Sequence, residues 1–206
     1  MIKILQKNLV KCLERVYNKI VTYFSKKGVV LMEDLKNVKV LISEEKIQQR
    51  LEELAKQIYN DYKGQEITFI CILKGSIFFT VELAKKMPCD INFEFIRVSS
   101  YHGQNSTGVI KMKVDLQGDI KGKDVIIIED IVDTGRTLSY LKEYLKSKEP
   151  KSIKICSMLD KKERRVCKLD ADYVGFDIPD KFVVGYGLDV DEKYRNLPYI
   201  GYFENV

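Results

Sequence analysis

The run Ile67-Thr-Phe-Ile-Cys-Ile-Leu73 is apolar at every position but one, so neither of its faces can be left in water. Val125-Ile-Ile-Ile128 has the same character. A strand with one wet face alternates polar and apolar residues. Continuous runs belong instead to strands covered on both sides, and a parallel sheet with helices on each face provides that cover. The intervening stretches supply the helices. Ser43 is placed to cap a helix with Glu44 and Glu45 in its first turn; Ile47, Leu51, Leu54 and Ile58 mark its buried stripe, and Gly64 ends it. Ile77 to Lys86 reads as a second helix stopped near Pro88, and Leu138 to Lys146 as a third. Two more strands are expected at Phe93 to Val98 and Ile153 to Ser157, with a polar, aperiodic loop over Ser99 to Gly108. This alternation predicts an α/β fold with a mainly parallel sheet and a ligand crevice outside the carboxyl ends of its strands.

A hydrophobic content of 45% over 206 residues suffices for one ordinary core. No apolar run approaches the roughly 18 residues needed to span a bilayer, so a soluble protein without a membrane partner is expected. The formal charge of +5 is unevenly placed. Residues 1–31 hold Lys3, Lys7, Lys11, Arg15, Lys19, Lys26 and Lys27 against Glu14 alone, a net of +6, which leaves the other 175 residues at −1. Ile4, Leu5, Leu9, Cys12, Leu13, Val16 and Ile20 recur there at helical spacing, so 1–31 reads as a basic amphipathic helical extension to a domain over 32–206. Packing on its own domain or on a neighbouring subunit, contact with a membrane surface, and contact with nucleic acid all fit such a helix. Five cysteines, an odd number with no C-x-x-C pair, argue against a disulfide framework or a structural zinc site and fit a reducing cytoplasm.

Chemistry concentrates in Val125-Ile-Ile-Ile-Glu-Asp-Ile-Val-Asp-Thr-Gly-Arg-Thr137, where a buried strand delivers acids into a small-residue loop ahead of a helix. Thr134, Gly135 and Thr137 can wrap a phosphate with backbone N–H groups and hydroxyls, helped by the dipole of the helix that follows. Glu129 and Asp130 accept hydrogen bonds when ionised, which suits a sugar diol or a nearby metal. A lone Asp-Thr-Gly says little. Four apolar residues, two acids, two apolar residues and Asp-Thr-Gly-x-Thr together closely resemble the phosphoribosyl-pyrophosphate-binding motif of type I phosphoribosyltransferases. The resemblance implies phosphoribosyl contacts from Glu129, Asp130, Asp133, Thr134, Gly135, Arg136 and Thr137.

The C-terminal third, Asp172-Tyr-Val-Gly-Phe-Asp-Ile-Pro-Asp-Lys-Phe-Val-Val-Gly-Tyr-Gly-Leu-Asp189 followed by Glu192-Lys-Tyr-Arg-Asn-Leu-Pro-Tyr-Ile200, looks like the base-binding hood of hypoxanthine-guanine phosphoribosyltransferases. Similarity of that kind covers residues 34–203. It implies that Lys161 donates to the purine O6, Phe182 stacks on the ring, the Val183 backbone meets the base edge, Asp189 binds magnesium near N2, and Arg195 contacts pyrophosphate. A lysine only donates, so the O6 role would select a 6-oxo over a 6-amino group. Leu73-Lys-Gly-Ser76 matches the family's pyrophosphate loop, placing Lys74 and Gly75 there; the Leu73–Lys74 peptide is often cis in that family. Ser100 and Tyr101 open the loop that resembles the family's lid, and His102 is read as an ordinary loop residue. Lys162 stands where bacterial relatives often have Pro, and Val190 where Tyr is common.

The resemblance therefore implies a Mg²⁺-dependent transferase of purine salvage, with Glu129, Asp130 and Asp189 near the metal. It would join hypoxanthine or guanine, with xanthine left open, to the ribose 5-phosphate of phosphoribosyl pyrophosphate. Asp133 would act at the purine N7. A cytoplasmic homodimer or homotetramer without a nucleic-acid partner is expected. The competing reading is a regulatory module that senses phosphoribosyl pyrophosphate and binds nucleic acid through 1–31; a body that is not basic disfavours it.

Overall fold

The computed structural model describes residues 37–100 and 110–204. The expected extension over 1–31, Tyr101 and His102 lie outside the described residues. In chain order the elements are β1 (Val38–Ile42), α1 (Glu44–Tyr62), β2 (Ile67–Ile72), α2 (Ile77–Lys86), β3 (Ile91–Ser100), β4 (Ile110–Val114), β5 (Asp124–Val132), α3 (Arg136–Lys146), β6 (Ser152–Asp160), a 3-10 turn (Lys162–Arg164), β7 (Tyr173–Asp177), β8 (Val183–Val184) and β9 (Ile200–Phe203). Residues Val40–Tyr202 belong to one compact unit, which contains every described site residue.

Six strands form the main sheet in the order β4-β3-β2-β5-β6-β7, all parallel except β4. Its two apolar runs occupy the centre, as their composition requires. Along β5, Ile126 and Ile128 enter one core while Val125 and Ile127 enter the other, because successive side chains point to opposite faces. The first core is closed by Ile47, Leu51, Leu54 and Ile58 of α1 with Phe79 and Leu83 of α2. Leu138, Leu141 and Leu145 of α3 close the second. Each such side chain contributes about 1.5–3 kcal/mol by leaving water, so the doubly covered strands anchor the loops that follow them.

The ends of the elements refine the sequence reading. Ser43 caps α1 through a bond from the Lys46 N–H, but Lys63, at φ 54°, takes the left-handed position at the helix end, and Gly64 follows at φ 71°. α2 stops where Met87 is held extended before Pro88. α3 begins two residues earlier than its apolar stripe suggests. β3 runs on to Ser100, so Ser99 and Ser100 are strand residues, the rest of the expected loop over Ser99 to Gly108 lies outside the described residues, and β4 pairs back onto β3 from Ile110. β1, β4, β7 and the short β8 and β9 were not delineated by periodicity. A second, three-stranded sheet has the order β1-β9-β8.

The candidate active site

Parallel strands bring the loops after β2, β5 and β6 to one edge of the sheet. β5 is longer than expected: it continues through Val132, pairing Glu129 with Ser157 and Val132 with Asp160, so Glu129 and Asp130 are strand residues rather than loop residues. Adjacent strand positions diverge. Glu129 lines a pocket of about 120 Å³ with Val132, Asp133, Thr134, Gly135 and Thr137. Asp130 instead lies against the loop after β2: a Cβ on Gly75 would come within 1.5 Å of Asp130 Oδ2. That position tolerates only glycine while Asp130 keeps its place.

The pocket is suited to an anion. Gly135 adopts φ 81°, a conformation that favours glycine, and as the N-cap of α3 it offers no capping side chain; the Arg136 N–H donates to Thr134 Oγ1 at 3.5 Å, and the positive end of the helix dipole favours an anion there. Arg136 is exposed in that first turn. Burial, followed by the Asp130 carboxylate, pushes the Glu129 carboxyl well above the usual carboxylate range. Burial raises Asp130 as well, against its hydrogen bonds and the charge of Arg195. Two adjacent acids in this state suit cation binding, since a cation would favour their ionised forms. Among the described residues, however, no three His, Cys, Asp or Glu side chains converge on one point, so Glu129, Asp130 and Asp189 do not form a single cage.

The Leu73–Lys74 peptide is cis. Lys74 Nζ donates to Glu192 Oε1 at 2.9 Å, and Arg195 Nη2 reaches Glu192 Oε2 at 3.2 Å and Asp189 Oδ1 at 2.7 Å. One carboxylate thus bridges the two cations expected to meet pyrophosphate. Those contacts, Lys74 first, hold the Glu192 carboxyl below its usual range. Arg195 also donates to the Gly187 carbonyl at 2.7 Å, while its buried Nε has no partner. A Cβ on Gly187 would come within 1.9 Å of the Gly75 carbonyl oxygen, so the absence of a side chain at Gly187 lets the hood turn touch the β2 loop.

Lys161 is buried beside the pocket. Its N–H donates to the Val132 carbonyl at 2.9 Å, and its ammonium faces Asp180 at 3.5 Å. Asp180 also meets Arg164 Nη1 at 3.4 Å, and Arg164 Nε lies 2.9 Å from Asp133 Oδ1, in an alignment that leaves this oxygen without a hydrogen bond. Phe182 is 48% exposed, enough to present a ring face to a ligand. Val183 is buried in β8 opposite Tyr202. Ser100 ends β3, beside the undescribed Tyr101.

Residues 38–191 match the model of the phosphoribosyl transferase domain. The hypoxanthine-guanine phosphoribosyltransferase of Streptococcus pneumoniae is 49% identical over 173 residues, covering 84% of this chain and 95% of that protein. Its namesake in Mycobacterium tuberculosis is 47% identical over 175 residues, covering 82% and 86%.

The chain belongs to the hypoxanthine-guanine phosphoribosyltransferase family.

Solved structures agree. A family member from Bacillus anthracis, with HEPES in its active site, is 48% identical with a TM-score of 0.77, covering 80% of this chain and 97% of that one. The hypoxanthine phosphoribosyltransferase of Staphylococcus aureus is 46% identical with a TM-score of 0.79, covering 82% and 93%. Within this family frame, Asp160, Arg164, Arg165, Asp180 and Glu192 are site neighbours that sequence reasoning missed. Charged residues in short segments are usually solvated, and only the fold returns these ones to the crevice.

Proposed function

We propose that the protein transfers the 5-phosphoribosyl group of phosphoribosyl pyrophosphate to N9 of hypoxanthine or guanine, giving IMP or GMP and pyrophosphate in purine salvage, with xanthine left open as an acceptor. The observation that carries this reading is the backbone bond from the Lys161 N–H to the Val132 carbonyl, because it joins the residue bearing a donor-only side chain to the start of the phosphate loop. Thr134, Gly135, Arg136 and Thr137 would hold the 5-phosphate, and Glu129 and Asp130 the ribose hydroxyls. Lys74 and Arg195 would take the pyrophosphate after releasing Glu192. Phe182 would stack on the purine, Lys161 would donate to O6, and the Val183 backbone would meet the base edge. Asp133 would hold the N7 proton, which raises nucleophilicity at N9. One or two of Glu129, Asp130 and Asp189 would hold Mg²⁺, which when bound would supply charge neutralisation for the leaving diphosphate. Ser100 and Tyr101 would begin a lid that keeps water from the oxocarbenium-like sugar.

Several features support the setting. No helix among the described residues is long and apolar enough to cross a membrane. Cys71, Cys89, Cys156 and Cys167 are free thiols, which fits a reducing cytoplasm. Ile77, Phe78 and Val81 of α2 are exposed, as a homodimer or homotetramer would use. All described residues given a chemical role lie from Lys74 onward, so the segment 1–31 is proposed as an appendage not needed for chemistry, and nucleic acid as no partner. The reading is tested by pyrophosphate release with hypoxanthine, guanine, xanthine and adenine in parallel. Turnover with hypoxanthine and guanine and none with adenine is expected; preference for adenine would overturn it.

A further inference from the structure

An anion held by backbone amides needs N–H groups turned towards it and carbonyl oxygens turned away, since a carbonyl dipole repels negative charge. In the loop after β5, three consecutive carbonyls are tied back by the segment that follows β6. The Val132 oxygen accepts from the Lys161 N–H at 2.9 Å, and the Thr134 oxygen from Val166 N–H at 3.1 Å and Cys167 N–H at 3.3 Å. The middle carbonyl, that of Asp133, accepts from a side chain: Arg165 Nη1, at 3.3 Å. The same guanidinium is anchored through Nη2 to Asp160, the last residue of β6, in an ion pair whose side chains are 13% and 2% exposed. Its stem runs beneath the glycine of the loop, the Arg165 Cδ lying 3.1 Å from where a Cβ on Gly135 would be.

From this arrangement we infer that Arg165, anchored by Asp160, is a positioning residue that holds the Asp133 carbonyl away from the phosphate pocket and so sets affinity for phosphoribosyl pyrophosphate. The inference rests on the reading of this loop as the 5-phosphate site. Val132 and Thr134 keep their backbone partners whatever residue stands at 165. Without Arg165 the peptide between Asp133 and Thr134 is free to turn its oxygen into the pocket. The fork geometry is what allows one side chain to grip both the buried carboxylate and the carbonyl. Arg164, by contrast, meets the Asp133 carboxylate from an exposed position and leaves the backbone alone.

The test compares Michaelis constants in Arg165→Gln, Arg165→Lys and Thr137→Val. Removing one partner of a buried pair also costs stability, but a loss of folded protein lowers apparent turnover and leaves Michaelis constants unmoved. Arg165→Gln is expected to raise KM for phosphoribosyl pyrophosphate about tenfold with KM for hypoxanthine within about twofold, as misplacing one binding element does. Arg165→Lys, which keeps a cation on Asp160 without the fork, is expected to fall between. Should Arg165→Gln not fold, Arg165→Lys decides alone: a KM for phosphoribosyl pyrophosphate raised more than about threefold sustains the inference, and parity overturns it. Thr137→Val separates the two failures. If it raises KM for phosphoribosyl pyrophosphate and the Arg165 variants do not, the strut is wrong. If it too leaves KM unchanged, the loop is not the phosphate site and the inference falls with that reading.

Discussion

Between Asp133 and Thr137 the chain is held largely by its backbone, whereas between Phe182 and Arg195 much of the site is held by side-chain charge. The phosphate loop follows a strand paired with β6 up to Val132, has its carbonyls tied back and leads at once into α3, whose Leu138, Leu141 and Leu145 are buried. The hood has a strand of two residues, Val183–Val184, and then tight turns with positive φ at Tyr186, Asp191, Glu192 and Tyr194. Its functional groups are joined by ion pairs: Lys74 to Glu192, Arg195 to Asp189 and Glu192, Lys161 to Asp180. The Lys74–Glu192 pair is exposed on both sides, and such pairs contribute little in water, so it exchanges readily for ligand contacts. On the proposed reading, the stiff region meets the sugar phosphate common to every acceptor. The exchangeable region meets the base and the diphosphate, which must come and go.

The largest effect is expected in the stiff region. Asp133→Asn should lower kcat by about 10²-fold or more, the scale of general acid–base assistance, while the KM for phosphoribosyl pyrophosphate moves little because the loop's backbone ties remain. Steady-state kinetics decide this, and turnover within about twofold of the parent would remove Asp133 from the chemistry. Next comes the packing of Asp130 against the loop after β2. Gly75→Ala forces Asp130 from its place and should lower kcat/KM by more than about tenfold. Gly122→Ala is the control: its backbone also has positive φ, at 70°, yet a Cβ there meets nothing within 4 Å. It should cost about 1 kcal/mol of stability with activity intact. Equal activity losses in both variants would mean that strain, not displacement of Asp130, governs the loop.

In the hood, Lys161→Gln should narrow the preference for hypoxanthine over adenine by about tenfold or more, since an amide donates to O6 and also accepts from a 6-amino group. An unchanged ratio of catalytic efficiencies would contradict Lys161 as the O6 donor. The smallest effect is expected at Glu192. Glu192→Gln removes the charge that bridges Lys74 and Arg195, so KM for phosphoribosyl pyrophosphate should fall by about two- to threefold, within the range of exposed pairs. A rise in KM would show that Glu192 helps the substrate rather than yielding to it.

The same contrast explains what was legible in the sequence. Val125 to Ile128 declares a doubly covered strand through its own composition, and the acids and small residues after it declare a phosphate loop, because both signals are local. The reach of β5 to Val132 was not legible: Glu129 and Asp130 look like strand breakers, and it is the pairing of Glu129 with Ser157, Ile131 with Leu159 and Val132 with Asp160 that carries the strand past them. Lys161 and Phe182 were found through resemblance, since neither has a local signature. Arg165 and Asp160 were missed for a different reason. A buried ion pair made by a five-residue return after a strand depends on the turn Lys162–Arg164, which no periodicity announces.

The division between the two regions is tested most directly by amide hydrogen exchange of the full chain, free, with IMP, and with Mg²⁺ and pyrophosphate. The account predicts that IMP protects Thr134 to Leu138 and the hood around Phe182 and Val183. Pyrophosphate with Mg²⁺ should protect Lys74 to Ser76 and Glu192 to Arg195 and leave Thr134 to Leu138 as in the free protein. Protection of Thr134 to Leu138 by pyrophosphate alone, or no protection there by IMP, would contradict the assignment of the phosphate loop on which the account is built.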